Sequence, residues 1–164
     1  MEGPTAYYDS PVGWIRISGN AFGLKAITFL DEIPETKADT PECLQPAIDQ
    51  LDEYFAGNRR VLDLPQAAAG TEFQMKVWEE LRRIPFGLTI SYTELARKLG
   101  SEGAVRAVGH ANGRNPLNII TPCHRVIGSD GKLTGYGGGL WRKEWLLKFE
   151  KSLTLPGLFQ QVTE

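Results

Sequence analysis

The chain has 164 residues, is 41% hydrophobic and 23% charged, and carries a formal net charge of −2. That is the composition of a folded domain with an ordinary core, and it excludes a disordered or fibrous chain. No apolar run is long enough to cross a bilayer, and the two cysteines, Cys43 and Cys123, give no disulfide framework.

The opening MEGPTAYYDS has no basic region leading into an apolar one. The expectation is a protein without a signal peptide, working in a reducing cytoplasm where thiols stay free. Charge is unevenly spread. Residues 1–70 hold 5 Lys/Arg against 11 Asp/Glu, and residues 71–151 hold 13 against 8. A basic back half suits a polyanionic partner, although chance asymmetry explains it as well.

In chain order, Val12, Trp14, Ile15 and Ile17, then Gly19-Asn20, then Leu24, Ala26, Ile27 and Phe29 read as a hairpin of short strands. Residues 33–42 are proline-rich loop. Leu44, Ile48, Leu51 and Phe55 give a helix over 43–56, stopped by Gly57. Val61, Leu62 and Leu64 suggest one more strand, and PQAAAG at 65–70 reads as a linker.

Beyond the linker the signals are helical. Thr71 to Gln74 fits a capping box, with Phe73, Val77, Trp78, Leu81 and Ile84 as the apolar face before Pro85. Ser91 to Glu94 is a second capping box, followed by Leu95, Ala96, Leu99 and the stop Gly100. Residues 103–112 make another helix, so the pair reads as helix-turn-helix or as an ordinary helical corner. Ala104, Ala107, Gly109 and Ala111 are all small, which lets this helix approach another helix or a nucleic-acid groove. GYGGG at 135–139 is a flexible loop around one aromatic. LWRKEWLLKFEK at 140–151 is the last helix, with Trp141, Trp145, Leu146 and Phe149 expected to pack inward.

The chemistry centres on TPCHRVIG, 121–128. A lone cysteine is most often a buried, inert thiol. Here Pro122 restrains the backbone ahead of Cys123, His124 and Arg125 supply positive potential that favours a thiolate, and apolar flanks hold the site on the core. Read locally, an inert thiol and a reactive one both stay open. A metal site is weakly supported, because there is no Cys-x-x-Cys or His-x3-His spacing. A cysteine hydrolase would need a base, with only His110 and His124 available, and no oxyanion motif accompanies them.

Several stretches together resemble the O6-alkylguanine-DNA alkyltransferase family. PCHRVI at 122–127 matches its active-site motif. ISYTELA (90–96), RAVGHAN (106–112), RNP (114–116) and GYGGG followed by RKEWLL (135–147) occur in the family's order. The resemblance implies an α/β (α+β) protein. Residues 1–69 would form a small ribonuclease-H-like antiparallel sheet with a helix. Residues 70–164 would form a helical, winged-helix-like DNA-binding and catalytic domain with a helix-turn-helix.

The resemblance also implies the activity: transfer of the alkyl group from O6-alkylguanine, and from O4-alkylthymine, to Cys123. The thioether is permanent and one protein repairs one base, without cofactor or metal. The expected partner is double-stranded DNA carrying O6-alkylguanine, with no membrane and no obligate protein partner, the protein acting as a monomer.

Residue by residue, Cys123 matches the acceptor. His124 matches the base that takes the thiol proton through a bridging water, and Glu150 the acid that orients it. Tyr92 matches the phenol that stabilises the departing guanine, and Asn115 a structural asparagine at the active-site turn. Arg106 matches the finger that replaces the flipped base. Ala104, Ala107, Gly109 and Ala111 form the close-approach face in the minor groove, and Arg125 is expected at the DNA. Tyr136 and Gly137 belong to the base pocket. Thr121 and Asn118 depart from the family's usual apolar residues at the pocket wall, so they bear on alkyl-group preference. The rival is a non-catalytic lesion-binding protein that signals damage, against which Cys123, His124 and Glu150 speak.

Overall fold

The computed structural model describes residues 3–35 and 39–154. An antiparallel meander opens the chain: β1 (Thr5–Ser10), β2 (Gly13–Asn20) and β3 (Gly23–Phe29), in spatial order β1-β2-β3. Period-2 alternation puts Ala6, Ile15, Ile17, Leu24 and Ile27 on one face, each at most 4% exposed. Ile17 pairs with both Ala6 and Ile27, and the register shifts at Ser18/Gly19. The hairpin expected from sequence is β2–β3, and β1 adds a strand to it.

A short 3-10 turn, Glu42–Leu44, leads into α1 (Gln45–Phe55), with Pro46 in its first turn. The buried face is Leu44, Ala47, Leu51 and Tyr54, rotated from the expected Leu44, Ile48, Leu51 and Phe55. The rotation takes Tyr54 into the core at 0% exposure.

No strand forms at 61–64 among the described residues, because Val61 and Leu62 have no ladder to join. The stretch after it is no free linker. Leu24 N–H donates to Pro65 O at 2.8 Å and Ala67 N–H to Leu24 O at 2.7 Å, so 65–67 lies along β3. The other end of β3 is held by Leu117, and Ile27 N–H donates to Pro116 O at 2.9 Å. The sheet edge thus carries the segment that leads to Cys123.

The second half is helical: α2 (Glu72–Leu81), α3 (Tyr92–Lys98), α4 (Val105–Gly113) and α5 (Leu140–Ser152). Both bonds of the Thr71–Gln74 capping box form, and Ser91 accepts from Glu94 N–H. A two-residue strand β4 (Ile90–Ser91) pairs in parallel with β5 (Val126–Ile127). This pairing sets the start of α3 beside the Cys123 segment. Trp78 Nε1–H donates to Ala111 O at 2.9 Å and locks α2 to α4.

Two expected core aromatics lie outside it: Phe73 is 37% exposed and Trp141 53%. Phe73 sits in the first turn of α2, ahead of the packed stretch. Trp141 is turned out and covers the Arg142 guanidinium, 4.6 Å from its ring.

Candidate active site

Between α4 and β5 the chain folds around Asn115. Its Oδ1 accepts from Leu117 N–H at 3.0 Å and its Nδ2 donates to Thr121 O at 2.7 Å. Thr121 N–H returns to Leu117 O at 2.9 Å, and Cys123 N–H reaches Thr121 O at 2.8 Å. Ile119, in the middle, has φ 72° and is 2% exposed. A buried β-branched residue in the left-handed region costs about 1–3 kcal/mol, offset by the bonds around it and by burial in the core.

This turn delivers Cys123 in a 3-10 segment, Cys123–Arg125, at 4% exposure. Burial pushes the thiol pKa up, opposed by the Asn115 amide and the Lys143 charge. The resting group is therefore a thiol that must lose its proton to react, contrary to the thiolate expected from its basic neighbours. Its Sγ lies 3.9 Å from Asn118 Oδ1.

The base that could take that proton is fully buried beside it. His124 Nε2 is 2.8 Å from Glu150 Oε2. Glu150 lies well below the usual carboxylate range: His124 and Arg125 outweigh a burial penalty that acts the other way. An ionised carboxylate only accepts, so Nε2 carries the hydrogen and Nδ1 of neutral His124 is the acceptor. Nδ1 has no hydrogen-bond partner among the described residues. Burial lowers the His124 pKa against the pull of Glu150, so neutral imidazole is the resting form.

Glu150 collects more than the histidine. Arg125 donates Nε to Oε1 at 2.8 Å and Nη2 to Oε2 at 2.9 Å. Tyr54 O–H donates to Oε2 at 2.6 Å, and Gly87 N–H to Oε1 at 3.4 Å. Arg125 was expected at the DNA. It is 6% exposed, committed to Glu150 and, through Nη1, to Ile84 O at 2.7 Å. Its charge is internal.

On the other side of Cys123, Tyr92 O–H donates to Thr134 O at 3.3 Å. Lys143 Nζ donates to the same carbonyl at 2.8 Å and to Tyr92 Oη at 3.5 Å. Lys143 is 0% exposed, and burial lowers its pKa from 10.5 to about 8. The Tyr136 ring meets Phe29 at 6.0 Å, and its buried hydroxyl has no partner among the described residues. Gly137 is exposed at the tip of this loop. Arg142 anchors the loop to the sheet: it donates to Gly138 O, Val12 O, Leu30 O and Asp31, each at 2.8–3.0 Å.

α4 is divided. Ala104, Arg106 and Ala107 border an open concavity of about 740 Å³ shared with Thr71, Phe73, Gln74 and His110, with buried Ala111 at its floor. Gly109 does not line it. A Cβ there would meet the Tyr92 ring at 3.7 Å, an ordinary contact distance, so Gly109 faces Tyr92 rather than the concavity. Thr121 is buried, and its hydroxyl accepts from Arg82 Nη1 at 3.2 Å. Asn118 is half-buried and its Nδ2 is held by Ile27 O at 2.7 Å. Cys43 is a free, exposed thiol.

Sequence reasoning missed Tyr54, Lys143 and Arg142. Lys143 and Glu150 lie two turns apart on one face of α5, a spacing that could have flagged them together. Tyr54 carried no local signal, since its partner is 96 positions away.

Known proteins resemble this chain along most of its length. Residues 72–152 match the 6-O-methylguanine DNA methyltransferase DNA binding domain, and residues 5–68 the ribonuclease-like domain of the same family. The methylated-DNA–protein-cysteine methyltransferase of Methanosarcina acetivorans is 47% identical over 152 residues, covering 90% of this chain and 97% of the relative. The protein of that name in Mycobacterium bovis is 47% identical over 148 residues, covering 88% and 90%. The crystal structure of Mycobacterium tuberculosis OGT in complex with DNA superimposes with a TM-score of 0.81 at 47% identity, covering 90% of this chain and 94% of that one. The chain belongs to the 6-O-methylguanine DNA methyltransferase family.

Proposed function

We infer that this protein repairs DNA by direct reversal, moving the alkyl group of O6-alkylguanine, and of O4-alkylthymine, onto Cys123 in a single turnover. One observation carries the reading: a buried thiol stands next to a histidine whose Nε2–H is fixed on Glu150, leaving Nδ1 to accept a proton. In the reaction the thiol proton passes to His124, through a water as the family resemblance implies. The sulfur attacks the alkyl carbon, the carbon–oxygen bond breaks, and guanine leaves with its electron pair. The Tyr92 hydroxyl, backed by Lys143, supplies a hydrogen bond to the departing base. The proton held on His124 balances the anion released, so no cofactor enters.

An alkyl group inside a duplex is out of reach of Cys123, so the base is flipped at a cost of a few kcal/mol. The open side of α4 supports minor-groove docking, with Ala104 and Ala107 allowing close approach and Arg106 free to enter the stack. Tyr136 and Gly137 face the flipped base, and Asn115 holds the turn. Residues 1–69 and 70–164 act as the two domains, in a monomer. A reducing cytoplasm, which keeps Cys123 free, is the compartment this chemistry needs. Among the described residues no helix is long and apolar enough to cross a membrane.

The test is intact mass after incubation with an O6-methylguanine duplex. One added methyl, mapped to Cys123 and absent in Cys123→Ser, is expected. Tight DNA binding with unchanged mass would favour the non-catalytic lesion-binding reading instead.

A further inference from the structure

We propose that the N-terminal domain is a working part of the active site: Tyr54, on α1, is a positioning residue that acts on His124 through the carboxylate they share. This rests on the alkyl-transfer reading above.

The geometry is specific. Tyr54 is fully buried, and its hydroxyl donates to Glu150 Oε2 at 2.6 Å, the oxygen that also holds His124 Nε2 at 2.8 Å. The ring is fixed by edge contacts with Phe55 at 5.0 Å, Phe149 at 5.6 Å and Phe86 at 6.0 Å. Those contacts need only an aromatic ring, which phenylalanine would supply without burying a hydroxyl. The hydroxyl is explained by its partner. It is the nearest donor to Glu150, and it comes from the half of the chain that holds no other member of the relay.

The effect on His124 follows from charge sharing. Oε2 divides its negative charge among His124, Arg125 Nη2 and Tyr54 O–H. Each further donor leaves less of that charge to stabilise an imidazolium. The groups around His124 are Glu150 and Lys143 on α5, Cys123 and Arg125 on its own segment, Tyr54 on α1, and Tyr136 from the loop beyond β5. Of these, Tyr54 shares Oε2 with His124 as a neutral donor, so its hydroxyl can be deleted without adding or removing a charge. Deleting it gives His124 a larger share of the carboxylate. The imidazolium becomes more stable, and the neutral base is available only at higher pH.

The experiment uses Tyr54→Phe in the full chain. The protein has two histidines, so its imidazole NMR signals can be separated with His110→Gln. In Tyr54→Phe the His124 titration midpoint should rise by about half to one pH unit. The transfer rate should fall about three- to tenfold below the midpoint and converge with the unmodified protein well above it. An unmoved His124 midpoint, or a rate loss equal at every pH, overturns the proposal and leaves Tyr54 as packing. If Tyr54→Phe does not fold, 3-fluorotyrosine at position 54 keeps the ring and strengthens the donor. It should move the His124 midpoint down, and no movement overturns the proposal. Because the NMR readout needs no transfer, failure of the alkyl-transfer reading and failure of this one remain separable.

Discussion

Replacing Glu150 with glutamine exchanges one carboxylate oxygen for an amide nitrogen in a site that offers five donors. Oε1 receives Arg125 Nε and Gly87 N–H, and Oε2 receives His124, Arg125 Nη2 and Tyr54. Whichever way the amide turns, at least two donors then face a donor. The cheaper orientation gives up the Oε1 side. It still leaves the Arg125 guanidinium, 6% exposed, without a counter-charge. Removing one partner of a buried ion pair costs about 3–5 kcal/mol, a large share of a domain's total of roughly 5–15 kcal/mol.

Urea unfolding at neutral pH is the assay. With a slope of about 2 kcal/mol per molar, the midpoint should fall by about 2 M with the slope unchanged. Removing Arg125 as well, in Arg125→Met with Glu150→Gln, should recover at least about 2 kcal/mol relative to the sum of the single losses. The pH dependence has a definite sign. Glu150 titrates below its ordinary value of 4.5, so its contribution is complete above pH 4.5 and fades as pH falls below it. A loss under about 1 kcal/mol at neutral pH, the size expected of an exposed pair, would refute the buried network.

Two other outcomes follow from the same region. Lys143 falls from 10.5 to about 8 on folding, so between those pH values the unfolded chain holds a proton the folded one has released, and stability gains with pH. Lys143→Met should remove that gain, read as the stability difference between the two proteins at pH 7, 8, 9 and 10; a difference constant across the series would contradict the buried ammonium. At Gly138, an added Cβ would lie 2.5 Å from Phe29 Cδ2 and 3.2 Å from Tyr136 Cε2. Gly138→Ala should therefore cost about 1–3 kcal/mol and slow transfer by shifting Tyr136, and unchanged melting and transfer rate would refute the contact.

Local grammar was readable in the chain. The Thr71–Gln74 box, the alternation of Ile15 and Ile17, and the stops at Gly57 and Gly100 each depend on residues a few positions apart, and all appear in the structure. The acceptor motif was readable as a resemblance, and its chemistry came with it. What depends on distant partners was not readable. Glu150 and Lys143 look like solvated helix residues until His124, Arg125, Tyr54 and Thr134 are brought to them from other segments. Arg125 looks like a DNA contact for the same reason. The buried face of α1 differs by one residue from the expected one, because Tyr54 is taken in by Phe86, Phe149 and Glu150, distant in sequence, while Phe55 stacks on Tyr8.

The core beneath the sheet has a consequence for how the molecule comes apart. Its buried members include Leu117, Ile119, Ile120 and Leu146 beside ten residues from the first 69 positions. Those four side chains belong to the catalytic half, yet they fill the interior of the other. The first half cannot keep its interior if those four side chains are withdrawn, whereas the cluster around Val77, Leu81, Leu95 and Val126 is built from the catalytic half alone. A nick in the chain near residue 70 would leave fragments held together by their shared core.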